Sequence, residues 1–320
     1  MKNLLATPSH RAGPVRLADK LELLALEAPR WRASESDLIA SLDRREDEDE
    51  DLLERPVQEA FHELAIRQSH LGRYLSHYPF KLERTSLVFQ RHSLSDRGLL
   101  YLFLLFATNL NMRDERKHAG LDGAALFEHL SCEVARNFWG GRRRAHIDDR
   151  VDAFVFGTSR SQLGSWDDEE IEKLNFAGAV NALCQRLGEG GSYRPKSSDP
   201  VHAQDDRVDF VVWRLFSDLR AGRLIAFGQC KTGTHWRPEL PRLRPDSFCR
   251  KWLDHSPAAT PLALFFLSDR VSGSLMNECY DCGILFDRCR VLDYADDLPP
   301  KLVASCAKWT RAVLKKHGLG

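Results

Sequence analysis

The sequence predicts an α/β protein, with a mostly helical N-terminal region followed by a region of mixed strands and helices. Three observations support this prediction. Apolar residues recur at helical spacing over Leu53–Leu71, which is typical of an amphipathic helix. Two apolar runs rich in β-branched and aromatic residues, Val208–Phe216 and Leu224–Cys230, flank a short polar segment, as in a β-hairpin. A further continuous apolar run, Pro261–Leu267, has the length of a buried strand.

The composition is that of a soluble globular protein, with 43% hydrophobic and 29% charged residues among 320. The formal net charge is zero, so any affinity for nucleic acid must come from local patches, and a histone-like coating protein is excluded. Eight cysteines are scattered without a disulfide framework or a preceding signal peptide, which predicts thiols in a reducing cytoplasm. The longest apolar run, Leu99–Ala107, is about half of the roughly 20 residues that cross a bilayer, so we expect no membrane association.

Residues 1–50 are predicted to be a mobile or linker-like segment with a short helix at Leu17–Leu26. An acidic run, Asp43–Asp51, closes this segment, and seven of its nine residues are acidic. Because like charges repel and stay hydrated, we interpret the run as a solvated linker or helix face. A DNA mimic that covers a basic cleft is the alternative.

Residues 51–165 are predicted to be a mainly helical recognition or regulatory region. Helices are expected at Leu52–Ser76, Leu99–Leu110 and Gly123–Phe138, and a strand at Val151–Phe156. The second of these helices is apolar nearly all round, so it should be central, and Ser95 or Asp96 should cap it.

Residues 166–320 are predicted to form a domain of their own around the hairpin. The other expected elements are a helix at Asp168–Leu187 capped by Asp167 and Glu170, a helix at Pro245–Asp254, strands at Pro261–Leu267 and Ile284–Leu292, and a final helix from Pro299 to Gly318. Cys279, Cys282 and Cys289 suggest a zinc site, but no second cysteine pair follows, and buried thiols are the preferred interpretation.

The hairpin carries the candidate chemistry. If its turn is centred on Arg220, Asp209 lies opposite Lys231, and alternation places Gln229 on the same face. Oxygen atoms of Asp209, Gln229 and the Cys230 carbonyl are the kind of ligands that Mg²⁺ or Mn²⁺ takes. Lys231 could hold or deprotonate an attacking water or neutralise a phosphate. The plain alternative is an ordinary cross-strand ion pair between Asp209 and Lys231, worth about 0.2–1 kcal/mol.

Asp209, followed about twenty residues later by Gln229-Cys230-Lys231 after an apolar strand, resembles the PD-(D/E)XK nuclease superfamily. More narrowly, it is similar to Mrr-like restriction endonucleases, some of which carry Gln-x-Lys where most members have Glu-x-Lys. The resemblance covers roughly Asn175–Asp269 and implies a restriction-endonuclease-like αβββαβ core, complete if Ser192–Lys196 form a short first strand. The chain departs from the pattern in having no proline before Asp209 and a glutamine in place of the acid.

The resemblance implies a metal-dependent endonuclease that hydrolyses DNA phosphodiester bonds in restriction or anti-phage defence. Its expected partners are DNA, other defence-system proteins and a second copy in a homodimer. The alternative function is a non-catalytic nucleic-acid-binding or adaptor module with a degenerate nuclease fold.

Two glutamates are candidates for a further acid at the site. Glu189 is preferred because the glycines around it allow tight backbone placement near the following strand. The Phe127-Glu128 pair resembles the Phe-Glu on the helix before the core of Mrr-like enzymes, whose glutamate reaches toward the metal. About eighty residues separate Glu128 from Asp209, so a surface glutamate is the plainer interpretation.

Basic side chains on predicted loops are candidate nucleic-acid contacts, because such side chains neutralise phosphates. They are Arg142, Arg143, Arg144, Arg194, Lys196, His235 and Arg237. The arginine run is equally compatible with a solvated loop, and Trp236 with a lid on the hydrophobic core.

Overall fold

The computed structural model describes residues 12–42, 51–72, 78–141, 151–156, 174–196 and 206–319, and over these ranges the chain is a mixed α/β protein. The helices are α1 (Pro14–Glu27), α2 (Glu35–Ala40), α3 (Asp51–Gly72), α4 (Asp96–Asn109), α5 (Gly123–Phe138), α6 (Phe176–Leu187), α7 (Pro245–Trp252), α8 (Met276–Cys282), α9 (Arg288–Asp293) and α10 (Pro300–His317). The strands are β1 (Arg32–Ser34), β2 (Phe80–Glu83), β3 (Ser86–Phe89), β4 (Lys117–His118), β5 (Leu121–Asp122), β6 (Val151–Val155), β7 (Phe210–Arg214), β8 (Leu224–Lys231), β9 (Leu262–Leu267) and β10 (Ile284–Phe286). A 3₁₀ helix, Arg237–Arg242, follows β8.

Five strands of the described chain form one mixed sheet in the order β10-β9-β8-β7-β6. Strands β6, β7 and β8 are antiparallel neighbours, whereas β9 runs parallel to β8 and β10 parallel to β9. Side chains alternate along β7, so Phe210 and Val212 enter one hydrophobic core and Val211 and Trp213 another. Because both faces are buried, β7 appears in the sequence as a continuous apolar run.

The sheet is the middle of three layers. The face with Phe210 and Val212 shares its core with residues of α1, α3, α4, α5 and α10. The opposite face, with Val211 and Trp213, packs against α6 and α7. A smaller core with Trp236 lies between the 3₁₀ helix, α8 and the β9–β10 side of the sheet.

Helix α4 lies at the centre of the helical layer, as its sequence predicts. Every residue over Leu99–Ala107 is buried. The predicted N-cap is confirmed, because the Ser95 hydroxyl accepts a hydrogen bond from the N–H of Gly98 at 3.1 Å. Helix α10 packs against α4, where the Trp309 ring meets Phe103 edge-on.

Both the sheet and the helical layer cross the predicted division between residues 165 and 166. Strand β6 precedes the division yet pairs with β7, and α10 follows it yet packs against α4. The side chains of Leu17 in α1 and Phe266 in β9 belong to one hydrophobic core. The described residues of the two predicted regions therefore share one structural unit.

The segment 12–42 is folded, although the sequence predicted a mobile N-terminus with only a short helix. Helix α1 buries Leu17 and Leu21 against α3, and Pro14 occupies its first turn, where a missing N–H costs nothing. Ser34 caps α2 in a reciprocal capping box with Asp37. The acidic run, except for the α3 residue Asp51, lies outside the described residues.

Three further predicted elements differ from those observed. The described helix α6 begins after Asn175, whose side chain caps Gly178, while Asp167 and Glu170 lie outside the described residues. The segment Ser192–Lys196 contributes one isolated bridge between Tyr193 and Leu253 and no strand, so β6 precedes β7 in the sheet instead. The predicted strand Ile284–Leu292 is wrong beyond Phe286, because Asp287 accepts the N–H of Arg290 and starts α9.

Candidate active site

The β7–β8 hairpin forms as predicted, but with a different pairing. Phe210 lies opposite Gly228 and Val211 opposite Phe227, so the predicted pairing of Asp209 with Lys231 is wrong by two residues. The loop is centred on Leu219, which has a φ of 56°, and not on Arg220. A shift of two preserves which residues share a face, so Gln229 and Lys231 still project from the same side of β8.

Asp209 lies just before β7, where the ladder is irregular. Its N–H donates to the carbonyl of Gly228 at 2.9 Å, although Phe210 is the ladder partner of Gly228. Two successive residues thus oppose one, which is the arrangement of a β-bulge. The Asp209 carboxylate in turn accepts a hydrogen bond from the N–H of Cys230 at 2.6 Å. Because that N–H lies in the plane of the sheet, the carboxylate lies at the end of β7 between the two faces.

A glycine at 228 makes this close approach possible. A Cβ atom there would lie 2.1 Å from Cζ of Phe210, deep inside the ring's van der Waals radius. The Phe210 ring is itself held against Phe266, with ring centroids 5.5 Å apart. Gly228 therefore allows the start of β7 and its adjacent acid to lie tightly against β8.

Asp209 and Glu128 both lie within electrostatic reach of the Cys230 thiol. Burial raises the pKa of the Cys230 thiol well above its ordinary value, and the charges of Asp209 and Glu128 raise it further. Ser131, one turn along α5 from Glu128, bonds the same thiol. Helix α5 thus brings a second carboxylate to the sheet end that holds Asp209, which the sequence separation of about eighty residues did not reveal.

Glu189, the preferred further acid, lies at the other end of the sheet, and this prediction is wrong. Its carboxylate is buried and accepts the N–H groups of Gly222, Arg223 and Ala258 at 3.0, 3.2 and 2.8 Å. Gly222 belongs to the hairpin loop, whereas Asp209 lies beside Cys230 at the far end of β8. Glu189 therefore stabilises the hairpin loop by hydrogen bonds to its backbone and cannot share a cation with Asp209.

Gln229 and Lys231 differ in their surroundings although they share a face. Gln229 is 1% exposed, and its Oε1 atom is buried without a hydrogen-bond partner among the described residues. The Lys231 side chain is 33% exposed, and its Nζ lies 3.6 Å from Oε2 of Glu239. The lysine is thus accessible at the end of β8, and it pairs with Glu239, not with Asp209 as the alternative of a cross-strand ion pair would require.

Glu239 was not singled out from the sequence. It lies on the 3₁₀ helix, and its carboxylate forms ion pairs with Lys231, with Arg207 at 3.3 Å and with Arg242 at 2.7 Å. Only the i,i+3 spacing of Glu239 and Arg242 was visible in the sequence, because the other two contacts join residues far apart in the chain.

The predicted basic contacts on the loop before β7 are exposed but paired. Arg194 binds Asp254 at 2.6 Å, and Lys196 donates to the carbonyl of Asp254 at 3.1 Å. This segment runs beside the end of α7, where the Trp252 indole donates to Asp206, three residues before Asp209. The predicted contacts Arg142, Arg143 and Arg144 lie outside the described residues.

The residues after β8 combine a packing role with an exposed one. Trp236 is buried and donates its indole N–H to Asp269 at 2.8 Å, as expected for a lid on the core. Arg237 lies over the Trp236 ring at 4.5 Å and binds Glu278 at 2.9 Å. His235 is exposed next to Thr234. Of these three, His235 and Arg237 remain available at the surface.

The described residues contain no group of three or more His, Cys, Asp or Glu side chains able to hold a metal ion. Cys279, Cys282 and Cys289 form no such group, so the zinc interpretation is not supported, and burial raises the pKa of Cys282 and of Cys289 to about 12. Buried protonated thiols are the state expected of packing cysteines.

Comparison of the sequence and structure with models of known protein families, with curated proteins and with solved structures gave no match. Over the described ranges, none of the helices combines the length and the apolar character that spanning a lipid bilayer requires.

Proposed function

We propose that this protein is a magnesium-dependent endonuclease that hydrolyses DNA phosphodiester bonds at the start of β7. One observation carries the proposal: the Asp209 carboxylate is hydrogen-bonded to the backbone of Cys230, with Glu128 near the same residue and Lys231 next in the chain. Two acids and an ammonium group at one strand end suit the hydrolysis of a phosphodiester.

The order of elements supports the same proposal. Helix α5, strands β6, β7 and β8, helix α7 and strand β9 follow one another as α, three β, α and β, with α6 inserted between β6 and β7. This is the αβββαβ order that the resemblance to PD-(D/E)XK nucleases implies. In that arrangement Glu128, on the first helix, corresponds to the glutamate of the Mrr-like Phe-Glu pair.

The oxygen atoms present fit a hard divalent cation. Asp209 offers a carboxylate, and the Cys230 carbonyl points to the same side of β8 as the N–H that Asp209 accepts. Glu128 offers a second carboxylate on the face of β8 that carries the Cys230 side chain. The amide oxygen of Gln229, which lacks a partner among the described residues, lies on the opposite face with Lys231, so it is not a ligand of the same ion. Magnesium commonly binds one or two protein carboxylates and completes its shell with water and phosphate.

Each residue would have a distinct role. A bound magnesium ion, or manganese in its place, supplies charge that polarises the phosphate and lowers the pKa of a coordinated water. Asp209 and Glu128 hold the cation, and the Cys230 N–H fixes the position of Asp209. Gln229 accepts a hydrogen bond from a water, and the Lys231 ammonium neutralises the scissile phosphate or positions the attacking water.

A second function is favoured by the burial of Gln229. A glutamine that is 1% exposed, where most of the resembled nucleases have an acid, weakens the metal site. The chain would then be a non-catalytic nucleic-acid-binding or adaptor module that keeps the basic surface. Such a module would bind DNA without requiring a divalent ion.

The test is cleavage of supercoiled plasmid DNA by the wild-type protein, Asp209→Asn and Lys231→Ala, with magnesium and with a chelator. We expect magnesium-dependent nicking by the wild type and a loss of at least about a hundredfold in each variant. No cleavage with magnesium or manganese, or equal cleavage by both variants, would reject the enzyme. DNA binding without cleavage would favour the alternative.

A further inference from the structure

Three basic side chains converge on one carboxylate beside the proposed site. Arg207 and Lys231 both approach Oε2 of Glu239, at 3.3 and 3.6 Å, and Arg242 approaches Oε1 at 2.7 Å. We call these four side chains the Glu239 cluster. Because two of the cations share a single oxygen, their nitrogen atoms lie at most about 7 Å from each other.

The Glu239 cluster has an excess of positive charge. Three cations and one carboxylate leave a net charge of +2 on the four side chains. The side chains of Arg207, Lys231 and Arg242 are 45%, 33% and 43% exposed, whereas Glu239 is 17% exposed. The cations are thus accessible from solvent around a more deeply placed anion, where an anionic ligand can reach them.

The Glu239 cluster includes residues at the start of β7 and at the end of β8, the two strands of the proposed site. Arg207 precedes Asp209 by two residues, and Lys231 directly follows Cys230. Arg242 and Glu239 reach the same place from the 3₁₀ helix that follows β8. A phosphate bound at Arg207 and Arg242 would therefore lie beside a phosphodiester held at Asp209, with Lys231 next to both, as neighbouring phosphates of one strand do.

We propose that the Glu239 cluster binds a backbone phosphate of the DNA strand, and that Glu239 takes the place of this phosphate in the free protein. The inference rests on the proposed function for the choice of DNA as ligand. In the free protein the Glu239 carboxylate occupies the three cations and so competes with a phosphate for them. A phosphate offers more acceptor oxygens than a carboxylate and suits the planar guanidinium groups of Arg207 and Arg242.

Binding of a fluorescently labelled DNA duplex, measured by anisotropy with a chelator present, tests the proposal apart from cleavage. Arg207→Gln and Arg242→Gln should each weaken binding about tenfold at 0.1 M salt, since each lost phosphate contact reduces the slope of log affinity against log salt by about one. Arg250→Gln is the matched control, because Arg250 is an exposed α7 arginine paired with Asp246 at 3.2 Å.

The Glu239→Gln variant distinguishes the two explanations best. It should strengthen DNA binding about tenfold, because it removes the anion that competes with the phosphate. If Glu239 served only to hold the three cations in place, the substitution would weaken DNA binding, because the cations would no longer be held together. Arg242→Lys should keep most of the affinity, and a thermal melt shows whether each variant is folded. Weaker or unchanged binding by Glu239→Gln, or equal binding by Arg242→Gln and Arg250→Gln, overturns the proposal. The expected pattern without any cleavage would leave the phosphate site standing and reject the endonuclease.

Discussion

The Asp209 carboxylate accepts the backbone N–H of Cys230 at 2.6 Å, so a side chain outside β7 completes the hydrogen bonding of β8. Bonds to ionised acceptors are stronger than neutral ones, and this one orients the acid beside the Cys230 carbonyl. The bulge at Asp209 and Phe210 provides the turn of the backbone that allows it. The same contact therefore serves the stability of the sheet and the geometry of the proposed site.

Asp209→Ala and Asp209→Asn should differ in stability. The alanine variant leaves the Cys230 N–H without its acceptor, which should cost about 1.5–3 kcal/mol. The asparagine variant keeps an amide oxygen in place and should cost about 1 kcal/mol or less. Urea unfolding followed by tryptophan fluorescence measures both values. Equal losses would show that the hydrogen bond contributes little.

Glu189→Ala should lower stability and leave the proposed site intact. The substitution removes the acceptor of three backbone N–H groups, at Gly222, Arg223 and Ala258, and should cost about 2–3 kcal/mol. Glu54→Ala, on the exposed side of α3, is the control and should be nearly neutral. The urea concentrations at the unfolding midpoints of the two variants measure this difference. A loss of DNA cleavage by folded Glu189→Ala would contradict the conclusion that Glu189 lies outside the proposed site.

Arg67→Met should destabilise the protein strongly. Arg67 is fully buried and binds Asp19 at 2.7 Å and both Glu22 and Glu63 at 3.0 Å, joining α3 to α1. Removing this cation takes from three buried carboxylates a partner that Arg288 and Arg270 replace only in part, which should cost about 3–5 kcal/mol. The control is Arg55→Met, because the Arg55 side chain is 88% exposed and pairs with Glu59 on the same helix, and it should cost less than about 1 kcal/mol. Similar midpoints of thermal unfolding in the two variants would contradict the expectation.

His70 should make stability depend on pH. The hydrogen bond between its Nε2 and Asp293, at 2.8 Å, raises the pKa of His70 above its ordinary value. A raised pKa means that the contribution is fully present below the unfolded-state pKa of about 6.5 and is lost as the pH rises through the folded-state value. His70→Gln should therefore destabilise the fold more at about pH 5.5 than at about pH 9. Equal effects in urea titrations at the two pH values would reject this link.

The parts of the fold with strong local patterns could be predicted from the sequence. Helix α4 is apolar on all sides because it is buried on all sides, and Ser95 caps it as expected. The hairpin strands were recognisable because both faces of the sheet are covered by helices. The face shared by Gln229 and Lys231 survives the error in pairing because alternation has a period of two.

Other features depend on contacts between distant parts of the chain and could not be predicted. The hairpin pairing follows from a positive φ at Leu219, a residue that rarely adopts it, so Arg220 was an equally reasonable centre. The proximity of Glu128 to Cys230 follows from how α5 packs on the sheet. The prediction that Glu189 belongs to the metal site was wrong because the glycines around it are equally compatible with a carboxylate that binds the backbone of the hairpin loop.

Calorimetric titration of Mn²⁺ into the protein, without DNA, shows whether Asp209 and Glu128 hold one cation beside Cys230. We expect wild type and Glu189→Gln to bind the ion alike, and Asp209→Asn and Glu128→Gln each to lose at least about tenfold in affinity. Wild-type protein that binds no Mn²⁺, or Mn²⁺ binding by Glu128→Gln equal to that of Glu189→Gln, would contradict the account.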